Sequence, residues 1–124
     1  MPMSKIIDEA VVPILQVADY LLVPIQIDLD DSTVNRLQAQ LTAEIERTRA
    51  KAIILDVRMV EVIDSYISYT LSETAAMARL MGCRTILCGL QPPVALTLAQ
   101  MGVSLSELVI ARDLEHALVL ASGW

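Results

Sequence analysis

Residues 52–57 read AIILDV, with apolar side chains at consecutive positions rather than at alternate ones. Successive side chains on a strand point to opposite faces, so this run needs cover on both sides. A sheet clothed by helices on each face meets that need, and the rest of the chain supplies the pieces. Two β-branched apolar runs, Val11–Gln16 and Leu21–Ile27, flank a short turn at Ala18-Asp19 and predict a hairpin, with Pro13 and Pro24 suited to strand ends or edges. Asp30, Asp31 and Ser32 are N-cap candidates for a helix whose apolar stripe is Val34, Leu37, Leu41 and Ile45. Ile67, Leu71, Thr74, Ala78 and Met81 recur at helical spacing and predict a second helix with Gly82 just past its end. A short strand at Thr85–Cys88 follows. Pro92-Pro93 opens a third helix that Gly102 closes, Glu107–Ala111 forms a last strand, and Asp113 caps a helix running to about Leu120. The order β-β-α-β-α-β-α-β-α predicts an α/β fold, a mixed sheet with packed helices, parallel after the opening hairpin.

The chain has 124 residues, enough for a single domain over 1–124 with a substantial core. That core has to be built from Leu, Ile, Val, Ala and Met, because aromatic residues make up 3% and Phe is absent. A net charge of −6 and scattered basic residues argue against a nucleic-acid surface. Cys83 and Cys88 lie too far apart along an extended run to form a disulfide and read as packing residues in a reducing, cytoplasmic setting. One histidine, His116, reads as a helix-surface residue, and no metal or other cofactor is expected. MPMSKIIDEA lacks the long apolar stretch of a signal peptide. No charge falls between Arg84 and Glu107, but Gly89, Pro92, Pro93 and Gly102 divide that segment into strand, turn and helix, so no membrane association is expected.

Three acidic or hydroxyl groups compete for a chemical role in AIILDVRMVEVIDSYIS, residues 52–68. Asp56 ends a strand as does the phosphoacceptor aspartate of a receiver domain, but the two lysines, Lys5 and Lys51, are not at the end of a late strand, where a receiver needs one. PIQIDLDDST resembles the Asp-x-Asp motif of haloacid-dehalogenase-type phosphatases, with Asp28 as nucleophile and Asp30 as acid/base. The acids after Asp64 are Glu73, Glu107, Asp113 and Glu115, and none forms the pair that would hold magnesium, so Asp30 or Asp31 reads as a helix cap. Ser65 starts a helix, where free backbone amides and the dipole favour an anion, so a phosphate on its hydroxyl would be tolerated. Asp64 or Ser65 as a simple N-cap is the competing reading.

The element order, IILDVRMVEVIDSY and RLMGCRTILCGLQPPVALTLAQMGV together resemble a STAS domain, the anti-sigma-factor-antagonist fold, over about residues 12–120. YLLVPIQIDLDD, VIDSYIS and LMGCRTILCGLQPPVALTL are similar to the stressosome scaffold branch of that family. The general antagonist pattern is Asp-Ser-Ser-Gly, whereas this chain has Asp64-Ser65-Tyr66-Ile67, which fits the branch where an aromatic follows the serine. The resemblance implies a non-enzymatic protein of the bacterial general stress response, phosphorylated on Ser65, with Glu61, Asp64 and Tyr66 on a kinase-binding face. It implies an RsbT-type serine kinase sequestered until phosphorylation releases it, an RsbR-type STAS co-antagonist, a PP2C-type phosphatase that resets the serine, and a homodimer within a larger assembly. A single-domain antagonist of an anti-sigma kinase is the alternative.

Overall fold

A computed structural model describes residues 12–101 and 107–123. Five strands form one sheet in the order β1-β2-β3-β4-β5, taken here as Leu15–Val17, Tyr20–Pro24, Ala52–Asp56, Arg84–Cys88 and Leu108–Ala111. The first pair is antiparallel and the other three are parallel, as the strand–helix alternation predicts. Helices α1 (Asp31–Thr48), α2 (Ser65–Leu80), α3 (Pro92–Met101) and α4 (Leu114–Ser122) fill the connections and the C-terminal side.

Consecutive apolar positions in β3 serve two cores. Ile53 and Leu55 join Leu21, Val23 and Leu87 under α1, α2 and α3. Ala52 and Ile54 face the other way and pack with Ile86, Cys88 and Ala111 against Ala117 and Ala121 of α4. The α1 stripe Val34, Leu37, Leu41 and Ile45 is wholly buried, as its spacing predicts. Asp30 is the cap of that helix, its Oδ1 accepting the Thr33 amide at 2.7 Å. Bonding to that amide and to the Thr33 side chain holds the Asp30 carboxyl below the usual carboxylate range.

Four expectations need adjustment. The strand expected over Val11–Gln16 is β1 at Leu15–Val17, with Val11 outside the described residues. Pro13 has no amide hydrogen to donate, so ladder pairing begins beyond it. The second strand ends at Pro24 rather than Ile27, although the Ile25 amide still donates to the Asp56 carbonyl at 3.0 Å. Met81 caps α2 instead of sealing its core face and is 39% exposed. The last strand starts at Leu108, leaving Glu107 in the turn, while Gly102 falls outside the described residues.

Candidate functional site

The segment between β3 and α2 leaves the carboxyl end of a central parallel strand. Two of its apolar side chains, Val60 and Ile63, are buried and anchor it to the core. Backbone bonds fix its start: the Val57 amide donates to the Cys88 carbonyl and the Val60 amide to the Val57 carbonyl, each at 3.0 Å. Gln91 Nε2 donates to the Arg58 carbonyl at 2.8 Å, tying the segment to the entrance of α3. Gly89, at φ +79, lets β4 exit closely past Arg58, since a Cβ there would stand 3.1 Å from the Arg58 Cβ.

Asp56 is consumed by this scaffold. It is 6% exposed, its Oδ1 accepts the Arg58 amide at 3.1 Å, and its Oδ2 lies 3.4 Å from an Arg58 guanidinium nitrogen. A carboxylate so enclosed braces a turn and does not present itself to a phosphoryl donor. Asp30 is equally committed as a cap. Among the described residues no three His, Cys, Asp or Glu side chains form a metal-binding group.

Asp64 and Ser65 divide the labour that the sequence left open. Asp64 is the N-cap: its Oδ1 accepts the Ile67 amide at 2.8 Å, and its carbonyl accepts the Ser68 amide at 3.0 Å and the Ser68 hydroxyl at 2.8 Å. Ser65 is therefore the first helical residue, exposed, with a hydroxyl that has no hydrogen-bond partner among the described residues. The amides of Ser65 and Tyr66 have no acceptor within the helix, because only later turns supply carbonyls to the amides that follow. An exposed hydroxyl thus stands beside two free donors at the positive end of a helix of 16 residues.

Around it lie apolar side chains that a lone helix start would not need. Met59 is 58% exposed, Val62 66% and Tyr69 65%, all within the segment or the first turns of α2. Tyr66 is partly exposed and its hydroxyl donates to Asn35 Oδ1 at 3.0 Å, joining the first turns of α2 and α1. Glu61 and Asp64 are exposed in the same segment, and Asp30 and Asp31 begin the neighbouring helix. The structure accordingly brings Glu61, Asp64, Ser65 and Tyr66 to one pole. Sequence reasoning missed Asn35, Met59, Val62 and Tyr69. Exposed apolar positions 59 and 62 interleaved with buried 60 and 63 were the available signal.

Comparison with known proteins agrees with this architecture. The STAS domain family profile matches residues 11–117. Two Bacillus subtilis proteins, the RsbT co-antagonist proteins RsbRA and RsbRD, are each 22% identical over 116 residues, which is 93% of this chain and 42% of theirs. The chain thus spans about two-fifths of the length of these curated relatives. A solved Moorella thermoacetica RsbS, a serine-to-glutamate variant, is 33% identical, with 92% of this chain and 97% of that chain covered and a TM-score of 0.80. A chain from the molecular architecture of the stressosome is 29% identical, with 90% and 96% covered and a TM-score of 0.71. Unphosphorylated SpoIIAA, an anti-sigma factor antagonist, shares the fold at 18% identity, with 91% and 97% covered and a TM-score of 0.74. With the family profile matched over residues 11–117, most of its length, the chain belongs to the STAS domain family.

Proposed function

We propose that this chain is a non-catalytic stressosome scaffold that holds an RsbT-type serine kinase and releases it when Ser65 is phosphorylated. The observation that carries the reading is the division of roles at the helix start: Asp64 takes the cap and leaves the Ser65 hydroxyl exposed and free. The likeness to an RsbS solved as a serine-to-glutamate variant, and to a chain of the stressosome, supports it. The curated relatives named as RsbT co-antagonists support an RsbR-type partner within the same assembly and a kinase of the RsbT type as the protein held. Met59, Val62, Tyr66 and Tyr69 supply apolar contact, and Glu61 and Asp64 favour a kinase surface with basic residues.

A phosphate adds about −1.5 to −2 charges. The local amides accommodate it, so the fold survives, while the acidic rim and the contact face become more negative and harder to desolvate. Kinase affinity falls as a result. A PP2C-type phosphatase restores the serine. The setting is the bacterial cytoplasm, and among the described residues no helix is long and apolar enough to cross a membrane.

The test compares wild type, Ser65→Ala and Ser65→Asp in pull-downs of an RsbT-type kinase before and after ATP. Wild type binds and then releases, Ser65→Ala binds and does not release, and Ser65→Asp binds weakly from the start. Equal retention by all three proteins in both conditions reduces Ser65 to a helix-start residue.

A further inference from the structure

Two tyrosines follow Ser65 in the first turns of α2, and the structure treats them differently. Tyr69 is 65% exposed, and its hydroxyl has no hydrogen-bond partner among the described residues. Tyr66 is 43% exposed, and its hydroxyl donates to Asn35 Oδ1 at 3.0 Å, across the seam between α2 and α1. An exposed phenol bonds to water almost as well, so this contact adds little to stability. What it adds is orientation, because a ring held at its hydroxyl as well as at its Cα cannot change rotamer freely. About one turn along α1, Gln38 makes a second polar tie to α2, its Nε2 donating to Thr74 Oγ1 at 2.9 Å and to Glu73 Oε1 at 3.1 Å. Asn35 and Gln38 are three residues apart and share a helix face. Gln38 binds helix to helix partway along the seam, whereas Asn35 binds the side chain that directly follows the phosphoacceptor.

We propose that Asn35 is a positioning residue for phosphorylation at Ser65, holding the Tyr66 ring in one orientation beside the acceptor so that an incoming kinase meets a surface already formed. The inference rests on the Ser65 reading and adds to it a residue from a different helix. Association that must immobilise a free side chain loses affinity by that ordering. Asn35 does the ordering before the kinase arrives. The gain is the same in the bound complex and in the transition state, so it appears in KM and leaves kcat alone. Tyr69, with its hydroxyl untied, gains nothing of this kind.

Steady-state phosphorylation of the full chain by an RsbT-type kinase and ATP, with the chain as the varied substrate, tests it. Tyr66→Phe keeps the ring and loses the bond, and Asn35→Ala removes the acceptor. Each raises KM about three- to tenfold, with kcat within about twofold of wild type. The double variant is no worse than either single one, since both remove the same interaction. Asn35→Asp keeps an oxygen acceptor, so Tyr66→Phe still raises KM in that background and adds nothing in Asn35→Ala. Gln38→Ala breaks the other tie, lowering the urea midpoint at least as much as Asn35→Ala does while leaving KM at the wild-type value. Wild-type KM in both Tyr66→Phe and Asn35→Ala overturns the proposal. So do additive effects of the two, a loss confined to kcat, or a KM shift in Gln38→Ala as large as theirs. In each of these cases phosphate on Ser65 leaves the phosphorylation reading standing. A wild-type chain that carries no phosphate on Ser65 overturns that reading and the role of Asn35 with it.

Discussion

Two adjacent small polar residues, Asp64 and Ser65, were equivalent to sequence reasoning because both are favoured N-caps. Geometry separates them, since the Asp64 carboxylate occupies the Ile67 amide at 2.8 Å. Asp64→Ala is expected to lower stability by about 0.5–2 kcal/mol in chemical denaturation, while Ser65→Ala changes it little. Thr85 presents the opposite situation, a hydroxyl that is 1% exposed and lacks a hydrogen-bond partner among the described residues. Thr85→Val removes the unsatisfied group at nearly constant shape and is expected to raise stability by about 1 kcal/mol. No change or a loss in urea unfolding would show that the hydroxyl is satisfied. The two cysteines were legible as packing residues. Burial pushes the Cys83 thiol up to about 12 and the Cys88 thiol up to about 11, Cys88 also feeling the Asp56 carboxylate. Both thiols therefore stay protonated and inaccessible near pH 8. Intact-mass measurement after iodoacetamide should show no addition to the native chain and two additions in denaturant.

Periodicity was most reliable for elements that bury a full stripe. The α1 prediction held at every apolar position, because four buried side chains on one face leave no other way to lay the helix. Element ends were less legible, since they depend on partners distant in sequence. Tyr66 illustrates this: its bond to Asn35 spans two helices and no local pattern announces it. The turn after β4 is another case. Gly89 at φ +79 suits glycine on its own, but the reason is its closeness to Arg58, 31 residues earlier in the chain by the numbering of the two residues. Gly89→Ala meets both the backbone strain and the 3.1 Å approach, so a loss of about 1–3 kcal/mol is expected. Its unfolding midpoint should fall accordingly. Wild-type stability in this variant would mean that the segment yields without strain.

At the scale of the whole molecule, two poles carry different surfaces. Strand carboxyl ends, the capped start of α2 and an acidic rim share one pole, and the exposed Leu80 at the end of α2 occupies the other. The fold class and the order of elements along the chain were legible because a parallel sheet needs both faces covered, and the consecutive apolar residues of β3 say so directly. Family membership was legible by resemblance, while the exposure of Ser65 and the apolar collar of Met59, Val62 and Tyr69 appeared with the structure. The proposed role makes Ser65 the group whose modification matters. The most direct measurement is phosphopeptide mapping by mass spectrometry after incubation of the wild-type chain with an RsbT-type kinase and ATP. A single major phosphate on Ser65, absent from Ser65→Ala, is the predicted result. A major phosphate on any other residue, or none with a kinase that binds the chain, contradicts the account.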